Sequence, residues 1–304
     1  MTNAALLFFA LLLDAIFGEP KALWDRVPHP AVLMGRLIEW IERRFNTGND
    51  RKAKGIVAMV FLGAGALISG ALLAELPFGD GVSLLCAAVL LAQRSLVDHV
   101  RAVASALRLS TSGGRIAVAK IVGRDTKNMD DTRISRAAIE SAAENLSDGV
   151  VAPAFWFLLL GLPGLLLYKI TNTADSMIGY KTPRYQEFGW AAARFDDLLN
   201  FVPARLTALL ILAVRRTLQR WHTVREDAPM HRSPNAGWPE AAMAASLGIA
   251  LSGPRSYDGE MRNFPYVNSG GRRDIGPSVI DASVSVLWQV WAACLAISAV
   301  LALI

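Results

Sequence analysis

The amino-acid sequence predicts an all-α, polytopic integral membrane protein with re-entrant or broken helices and with cytoplasmic loops and helices. Of its 304 residues, 53% are hydrophobic and 19% are charged, a balance shifted away from that of soluble domains. Charge-free runs at residues 55–74, 149–168 and 282–304 each supply the roughly 20 apolar residues that a spanning helix needs. Because no segment alternates with the two-residue period of a strand, helices are expected throughout.

The remaining elements are shorter or amphipathic. Residues 31–45 place apolar side chains at helical spacing, which predicts an amphipathic helix on the membrane surface or against the bundle. Further helices are expected near residues 95–109 and from about Leu198. Short apolar runs, which predict spans with polar ends, re-entrant pieces or buried helices, occur at residues 1–13, 81–93 and 206–214.

Lys and Arg concentrate at residues 21–54, 94–136 and 169–273, and the positive-inside rule makes these segments cytoplasmic. Cytoplasmic insertions are expected near residues 19–54, 94–148 and 215–281. Because no linker or repeat divides the chain, a single membrane domain over residues 1–304 is expected. The predicted location is the inner (cytoplasmic) membrane of the cell, with several spans and an active site that faces the cytoplasm. The net charge of +5 is spread without a dense basic stripe, which favours contact with the lipid bilayer over nucleic-acid binding.

The run at residues 149–168 conflicts with this topology. A full crossing would place the basic segment 169–197 outside, against the charge rule. Breaks in the run favour a re-entrant or kinked pair of half-helices that returns to the same side, although a crossing stays open. The breaking residues are Pro153, Gly161, Pro163 and Gly164.

An acidic helix is predicted over residues 132–148, with Asp130 or Asp131 as N-cap and Gly149 just past its end. The acids within it do not favour a helix, because like charges spaced by four residues repel by about 0.2–0.5 kcal/mol per pair. They also crowd the negative end of the helix dipole.

The acids of this helix are Glu140, Glu144 and Asp148, at positions i, i+4 and i+8. A solvated face is the alternative interpretation, but beside a membrane run the stripe indicates a counter-cation. Oxygen ligands without His or Cys suit Mg²⁺. Asp125, in a turn before the helix, either holds that turn or adds an oxygen to the same ion.

Two further polar faces follow the broken run. Asn172 and Asp175 recur at helical spacing between Lys169 and Lys181, which combines oxygen ligands with cations and favours bound phosphate. Asp196 and Asp197 open the next predicted helix, where one is expected to be the N-cap and the other a metal ligand. Asp196 and Asn200 are expected to share a face of that helix at positions i and i+4.

The loop at residues 231–237 precedes another predicted helix. Its donors could bind an anion at a helix N-terminus or merely cap that helix, and the sequence leaves these alternatives equal. No Walker-type phosphate loop is present, and the histidines are scattered, so zinc and serine-hydrolase chemistry are not indicated.

Polar motifs recur along the chain at residues 121–126, 134–145, 148–153, 168–181, 193–197, 203–205 and 232–237. These motifs closely resemble those of the CobD/CbiB family of cobalamin biosynthesis, and the similarity covers nearly the whole chain. The resemblance implies an adenosylcobinamide-phosphate synthase, an ATP-dependent ligase. Such an enzyme joins (R)-1-aminopropan-2-ol or its O-phosphate to the propionate carboxylate of adenosylcobyric acid.

The expected cofactors are ATP and Mg²⁺, because a carboxylate is activated most simply as an acyl phosphate. Three groups of residues are expected to serve this chemistry. Catalytic candidates are Glu140, Glu144 and Lys181. Candidates for cofactor and phosphate binding are Arg124, Lys169, Asn172, Arg194, Arg232, Ser233 and Asn235. Candidate Mg²⁺ ligands are Asp125, Glu144, Asp148, Asp175, Asp196 and Asp197.

The expected partners are the corrinoid substrate, the amino-alcohol phosphate and the lipid bilayer. A homo-oligomer, or contact with other enzymes of the corrinoid pathway, is compatible with the sequence. Two other function classes compete. A membrane transporter would use the same acids and broken helices at the membrane midplane, and a non-catalytic membrane sensor would show no ATP turnover.

Overall fold

The computed structural model describes residues 1–257 and 260–304. Asp258 and Gly259, within the predicted insertion at 215–281, lie outside the described residues. Most of the chain is helical, which confirms the predicted class. In chain order the helices are α1 (Asn3–Phe17), α2 (Lys21–Trp24), α3 (Pro30–Phe45), α4 (Arg51–Ala74), α5 (Gly79–Leu90), α6 (Gln93–Leu109), α7 (Thr111–Val118), α8 (Asp131–Leu146), α9 (Ala152–Ile178), α10 (Trp190–Leu199), α11 (Phe201–Val214), α12 (Trp221–Asp227), α13 (Gly237–Leu247) and α14 (Pro277–Leu303).

Short strands interrupt the helical pattern near the C-terminal end of the chain. Strand β1 (Leu251–Ser252) pairs antiparallel with β4 (Tyr266–Val267), and β2 (Arg255–Tyr257) pairs antiparallel with β3 (Glu260–Arg262). The sequence missed these strands because two- and three-residue strands are too short to show an alternating pattern.

In the described part of the chain, four helices are long and apolar enough to cross a membrane. The helices α10 and α11 form a bent pair, with an angle of 44° between them, that could make a fifth span. The protein is therefore a polytopic helical membrane protein. The four candidate spans are Arg51–Ala74 (α4), Gly79–Leu109 (α5 with α6), Asp131–Ile178 (α8 with α9) and Pro277–Leu303 (α14).

The predicted end of the acidic helix at Gly149 is wrong. Asp130 is the N-cap, with its side chain accepting a hydrogen bond of 2.8 Å from the backbone N–H of Arg133. Helical structure does not end after α8, however, because a π-helical turn over Ser147–Val151 leads directly into α9. Glycine signals a helix end only when the chain turns away there, and here buried neighbours keep the helix continuous.

The hydrophobic run after this turn is a broken helix, as expected. Gly161 has φ 64° and ψ −151°, and Pro163 follows it inside α9. The side chain of Asn3 donates a hydrogen bond of 3.4 Å to the carbonyl of Leu158, just before the break. A polar side chain thus serves a backbone group that the interruption exposes.

By its contacts the chain divides into two compact units. Unit 1 comprises Met1–Ala92, Ala152–Phe201 and Leu295–Ile304, and unit 2 comprises Gln93–Val151 and Val202–Cys294. Both are discontinuous in sequence, and the single-domain expectation remains a prediction.

Glycines on α4 let unit 1 pack closely. A Cβ atom on Gly55 would lie 2.0 Å from the carbonyl oxygen of Phe188, and one on Gly70 would lie 2.5 Å from Cα of Pro163. Small residues of this kind let helices approach in membranes, where lipid gives no hydrophobic drive for association. The close packing holds the Gly161 break in α9 firmly against α4.

Unit 2 is built around α8, whose apolar side chains are buried. Ile134, Ile139 and Leu146 each have 0% of their surface exposed. Helices α6, α7 and α13 and strand β1 pack around α8. A polar side chain on this helix is consequently carried into a protein interior, which sets the environment of Glu140.

Candidate functional sites

Glu140 lies at the centre of a buried charge cluster in unit 2. Its side chain forms an ion pair with Arg124, and the distance from its Oε2 to Nη1 of Arg255 is 3.5 Å. The backbone N–H of Ser252 donates a hydrogen bond of 2.7 Å to its Oε1. Only 4% of Glu140 is exposed. A buried carboxylate needs such partners, so Glu140 is held as an anion between two guanidinium groups.

A second buried carboxylate, Glu240, lies near this cluster. Its Oε2 is 3.7 Å from Nε2 of His231, whereas its Oε1 is buried with no hydrogen-bond partner among the described residues. Burial, and then the negative charge of Glu140, raise the pKa of Glu240 to about 8. Glu240 is therefore predominantly protonated at neutral pH.

His231 is neutral in the same surroundings. Burial, followed by repulsion from Arg255, lowers the pKa of its imidazole. Its Nδ1 accepts a hydrogen bond of 3.0 Å from the backbone N–H of Ser233, so the proton of the neutral ring lies on Nε2. The Nε2 that faces Glu240 can thus act as a donor.

The loop at residues 231–237 uses its backbone donors internally. The hydroxyl of Ser233 accepts hydrogen bonds of 3.2 Å from the N–H groups of Asn235 and Ala236. The amide oxygen of Asn235 accepts a hydrogen bond of 3.1 Å from Arg205. The backbone N–H groups of Asn235 and Ala236 are therefore already bonded within the loop, and no side chain of the loop caps α13 at its N-cap residue Ala236. Both the anion-binding and the capping interpretations remain predictions.

Aromatic rings orient several arginines of unit 2. The guanidinium groups of Arg232 and Arg255 lie 5.5 and 5.2 Å from the ring centre of Phe264, and that of Arg205 lies 4.6 Å from Trp238. Stacking on an aromatic ring fixes the plane of a guanidinium group. Arg232, a predicted phosphate-binding residue, lies against Phe264, and its phosphate-binding role remains a prediction.

Unit 1 contains a different polar cluster, centred on Asp196. Its two carboxylate oxygens accept hydrogen bonds from the side-chain amides of Asn172 at 3.3 Å and Asn200 at 3.0 Å. The oxygen of Asn200 in turn accepts a hydrogen bond of 3.0 Å from the hydroxyl of the buried Tyr168. The predicted i, i+4 face of Asp196 and Asn200 is therefore confirmed, and Asn172 joins it.

Further charges surround Asp196. The carboxylates of Asp175 and Asp197 lie close enough to repel it, and Asp197 forms an ion pair of 3.3 Å with Arg194. The positive charge of Lys181, exposed after α9, also acts on Asp197. Three acids of unit 1 thus share one region with a lysine and an arginine.

The expected N-cap role of Asp196 or Asp197 is wrong. Helix α10 already begins at Trp190, with Gly189 as its N-cap. Both aspartates lie in the last turn of α10, before α11 begins at Phe201. The sequence placed the helix start too late because the segment before Leu198 mixes small, charged and aromatic residues.

The other predicted residues are dispersed. Asp125 accepts a hydrogen bond of 3.0 Å from the backbone N–H of Lys127, so it does hold its turn. Glu144 is exposed one turn after Glu140, and Asp148 lies half-buried in the π-helical turn. Lys169 is half-buried in α9. Among the described residues, no three His, Cys, Asp or Glu side chains converge as ligands of one metal ion.

Sequence reasoning missed Glu240, His231 and Arg255 as members of the unit 2 cluster. One signal was present, because Glu240 is the single acid in the segment Gly237–Leu247, which is otherwise almost entirely apolar. An acid in such a segment is buried at a cost and has a partner or a function. Arg255 gave no comparable signal.

The chain is similar in sequence to known proteins. The family model described as CobD/Cbib protein matches residues 7–287. Proteins named "Cobalamin biosynthesis protein CobD" are similar over almost their whole lengths. That of Brucella anthropi is 49% identical over 301 residues, covering 93% of this chain and 92% of its own. That of Rhizobium meliloti is 48% identical over 306 residues, covering 95% of this chain and 93% of its own. That of Rhodobacter capsulatus is 43% identical over 313 residues, covering 95% of this chain and 100% of its own.

No solved structure matches the chain. The fold and the two polar clusters define a polytopic helical membrane protein that keeps carboxylates and arginines at buried positions. The chain belongs to the CobD/CbiB family.

Proposed function

We propose that this protein is an adenosylcobinamide-phosphate synthase of cobalamin biosynthesis. It joins (R)-1-aminopropan-2-ol or its O-phosphate to the propionate carboxylate of adenosylcobyric acid, with ATP as the driving reactant. The observation that carries this proposal is membership of the CobD/CbiB family over residues 7–287. Each of the two polar clusters, taken by itself, contains charges of a kind that such a reaction uses.

The reaction balances in two steps. The propionate carboxylate attacks the γ-phosphorus of ATP, ADP leaves, and an acyl phosphate forms. The amine then attacks the acyl carbon, phosphate leaves, and an amide bond forms while the ammonium proton passes to a base. The protein must therefore neutralise phosphate oxygens and accept one proton.

Residues of unit 2 fit the acid–base and anion-binding parts of this chemistry. Glu140 is engaged by Arg124 and Arg255, so it orients those arginines. Glu144 is exposed one helical turn further along α8, and we assign to it the uptake of the ammonium proton. Arg232, stacked on Phe264, is the proposed contact for phosphate oxygens.

Residues of unit 1 fit Mg²⁺ in the kind of donor they offer. Magnesium is usually held by one or two carboxylates together with water and substrate phosphates, so three converging acids are not required. Asp175 and Asp196 repel each other, and a divalent cation would relieve that repulsion. When bound there, Mg²⁺ would neutralise phosphate charge, while Lys181 and Arg194 supply further positive charge.

The direct test uses purified protein in detergent with adenosylcobyric acid, the amino-alcohol phosphate, ATP and Mg²⁺. We expect mass spectrometry to show the amide and one ADP per amide. Folded protein that forms neither product would refute the proposal. Glu144→Gln should lower turnover strongly, whereas Glu226→Gln, which alters another exposed glutamate of unit 2, should leave it unchanged.

A transporter is the second candidate, because the break at Gly161 is of the kind that lines substrate sites in transporters. Protein reconstituted in vesicles would then move a corrinoid or an ion across the bilayer without forming an amide. Product formation in detergent, where no second compartment exists, excludes transport as the explanation of activity.

A further inference from the structure

An apolar groove in unit 1 runs between α3 and the first turns of α4. It has a volume of about 460 Å³, within the range of roughly 300–1,000 Å³ that is typical of ligand sites. Almost all of its surface is apolar. Its lining residues are Trp40, Ile41, Phe45, Ala53, Lys54, Val57, Ala58 and Phe61.

The groove lies beside a membrane span and is continuous with other lipid-compatible surface. Helix α4 is one of the spanning helices, and Val57 and Phe61 on it are 68% and 65% exposed. Helix α3 buries Ile38 and Ile41 against unit 1 but leaves Trp40 59% exposed. An apolar surface of this kind on a membrane protein is covered by acyl chains, because lipid is its solvent.

Basic residues surround one end of the groove. Helix α3 ends with Arg43 and Arg44, and α4 begins with Arg51, Lys52 and Lys54. Acidic residues offset two of these charges, since Glu39 pairs with Arg43 and Glu187 with Arg51.

Lys54 is placed differently from those paired arginines. It lines the groove, and its Nζ donates a hydrogen bond of 2.7 Å to the carbonyl of Thr47. A carbonyl leaves the positive charge of the ammonium group in place. Because basic side chains at a membrane surface attract anionic headgroups, this end of the groove suits a negatively charged headgroup.

We propose that the groove binds one acyl chain of an anionic phospholipid, with its headgroup at the basic ends of α3 and α4. The groove follows α4 from Lys54 to Phe61, a length of about 10 Å at the helical rise. Several methylene groups of one chain fit along this length, and the rigid α3–α4 pair orders them. The site is independent of the proposed ligase activity, so each proposal can fail without the other.

The test is native mass spectrometry of delipidated protein titrated with phosphatidylglycerol or with phosphatidylcholine of the same chain length. The wild type should retain phosphatidylglycerol more strongly. Val57→Trp fills the groove and should abolish the tightly retained lipid. Val60→Trp is the matched control, because Val60 is a 66% exposed valine on the same helix that does not line the groove.

Lys54→Gln tests the headgroup contact if Val57→Trp fails to fold. We expect it to reduce the preference for phosphatidylglycerol by about fivefold, since one basic residue near a membrane surface contributes about 1 kcal/mol. Equal retention of both lipids by the wild type, or equal loss in the Val57 and Val60 variants, would overturn the proposal.

Discussion

The two polar clusters of this protein surround their central carboxylates in opposite ways, although the carboxylate of unit 2 is buried and that of unit 1 is half-buried. In unit 2, Glu140 is compensated by Arg124 and Arg255. In unit 1, Asp196 is held by the amides of Asn172 and Asn200 and is repelled by neighbouring aspartates. Amides orient a carboxylate without neutralising its charge, whereas guanidinium groups orient the carboxylate and also neutralise its charge.

From this difference we propose different tasks for the two units. The fold around a compensated carboxylate depends on its partners, because removal of one partner leaves a buried charge unpaired. An oriented but uncompensated carboxylate keeps its attraction for a cation, which is the basis of the proposed role of Asp196 as a Mg²⁺ ligand. The following variants test this division, from the largest expected effect to the smallest.

Replacing Glu140 by Gln should destabilise the protein most. The substitution keeps the side-chain volume but leaves Arg124 and Arg255 without their shared anion. Breaking a buried ion pair costs about 3–5 kcal/mol, to be measured as a lower denaturation midpoint in detergent. Glu226→Gln, at an exposed pair with His222, should change stability by less than about 0.5 kcal/mol. Similar midpoints for both variants would show that unit 2 does not depend on its compensated charge.

Replacing Asp196 by Asn should spare the fold and impair activity. The variant loses the charge that attracts a cation but keeps one oxygen for the amide hydrogen bonds. We expect a loss of about 10–100-fold in turnover, together with a higher Mg²⁺ requirement.

Asp98→Asn is the control, since Asp98 is 53% exposed and paired with Arg94. If Asp196→Asn lost stability without changing the Mg²⁺ dependence, the unit 1 cluster would be structural.

Replacing Glu240 by Gln should flatten the pH dependence of stability. Because the pKa of Glu240 rises from an ordinary value of 4.5 to about 8, the folded state binds this proton more tightly than the unfolded state. Stability from this group is present in full below the unfolded pKa and decreases as the pH rises towards about 8. One such group changes the free energy of unfolding by at most about 1.4 kcal/mol per pH unit.

One neutral titratable group, His231, and four charged groups face Glu240, and the charged groups are Glu140, Glu144, Arg124 and Arg255. The measurement is therefore the unfolding midpoint of the wild type, of Glu240→Gln and of the exposed control Glu226→Gln, taken between the ordinary pKa of 4.5 and the raised pKa of about 8. A slope unchanged by Glu240→Gln would mean that Glu240 is already ionised in the folded protein.

Local sequence pattern predicted the spans, the amphipathic helix α3 and the shared face of Asp196 and Asn200. Each of these depends on helical spacing within one segment. The pattern could not predict that Arg255 and Glu240 meet the region of Glu140, because those contacts join elements distant in the sequence. It also misread Gly149, because packing around α8 decides whether the chain turns there.

Unit 1 itself contains a compensated carboxylate, which provides the last and smallest test. Arg184 donates hydrogen bonds of 2.9 and 2.7 Å to Glu42, and these bonds hold the pKa of Glu42 below its ordinary value of 4.5. This contribution to stability is present above the unfolded pKa and is lost as the pH falls through the folded pKa. Arg184→Gln should therefore lower the unfolding midpoint near neutral pH but not in acid.

The effect of Arg184→Gln should be modest and should shrink with added salt, because the side chain of Arg184 is 61% exposed and exposed ion pairs are screened. Arg43→Gln is the matched control, since Arg43 pairs with Glu39 and is 71% exposed. We expect the Arg184 variant to lose more stability than the Arg43 variant, because Glu42 is buried while Glu39 is not. Equal losses of stability would show that an arginine stabilises unit 1 no more when it pairs with a buried acid than when it pairs with an exposed acid. The contrast between the two clusters would then apply only to fully enclosed ion pairs.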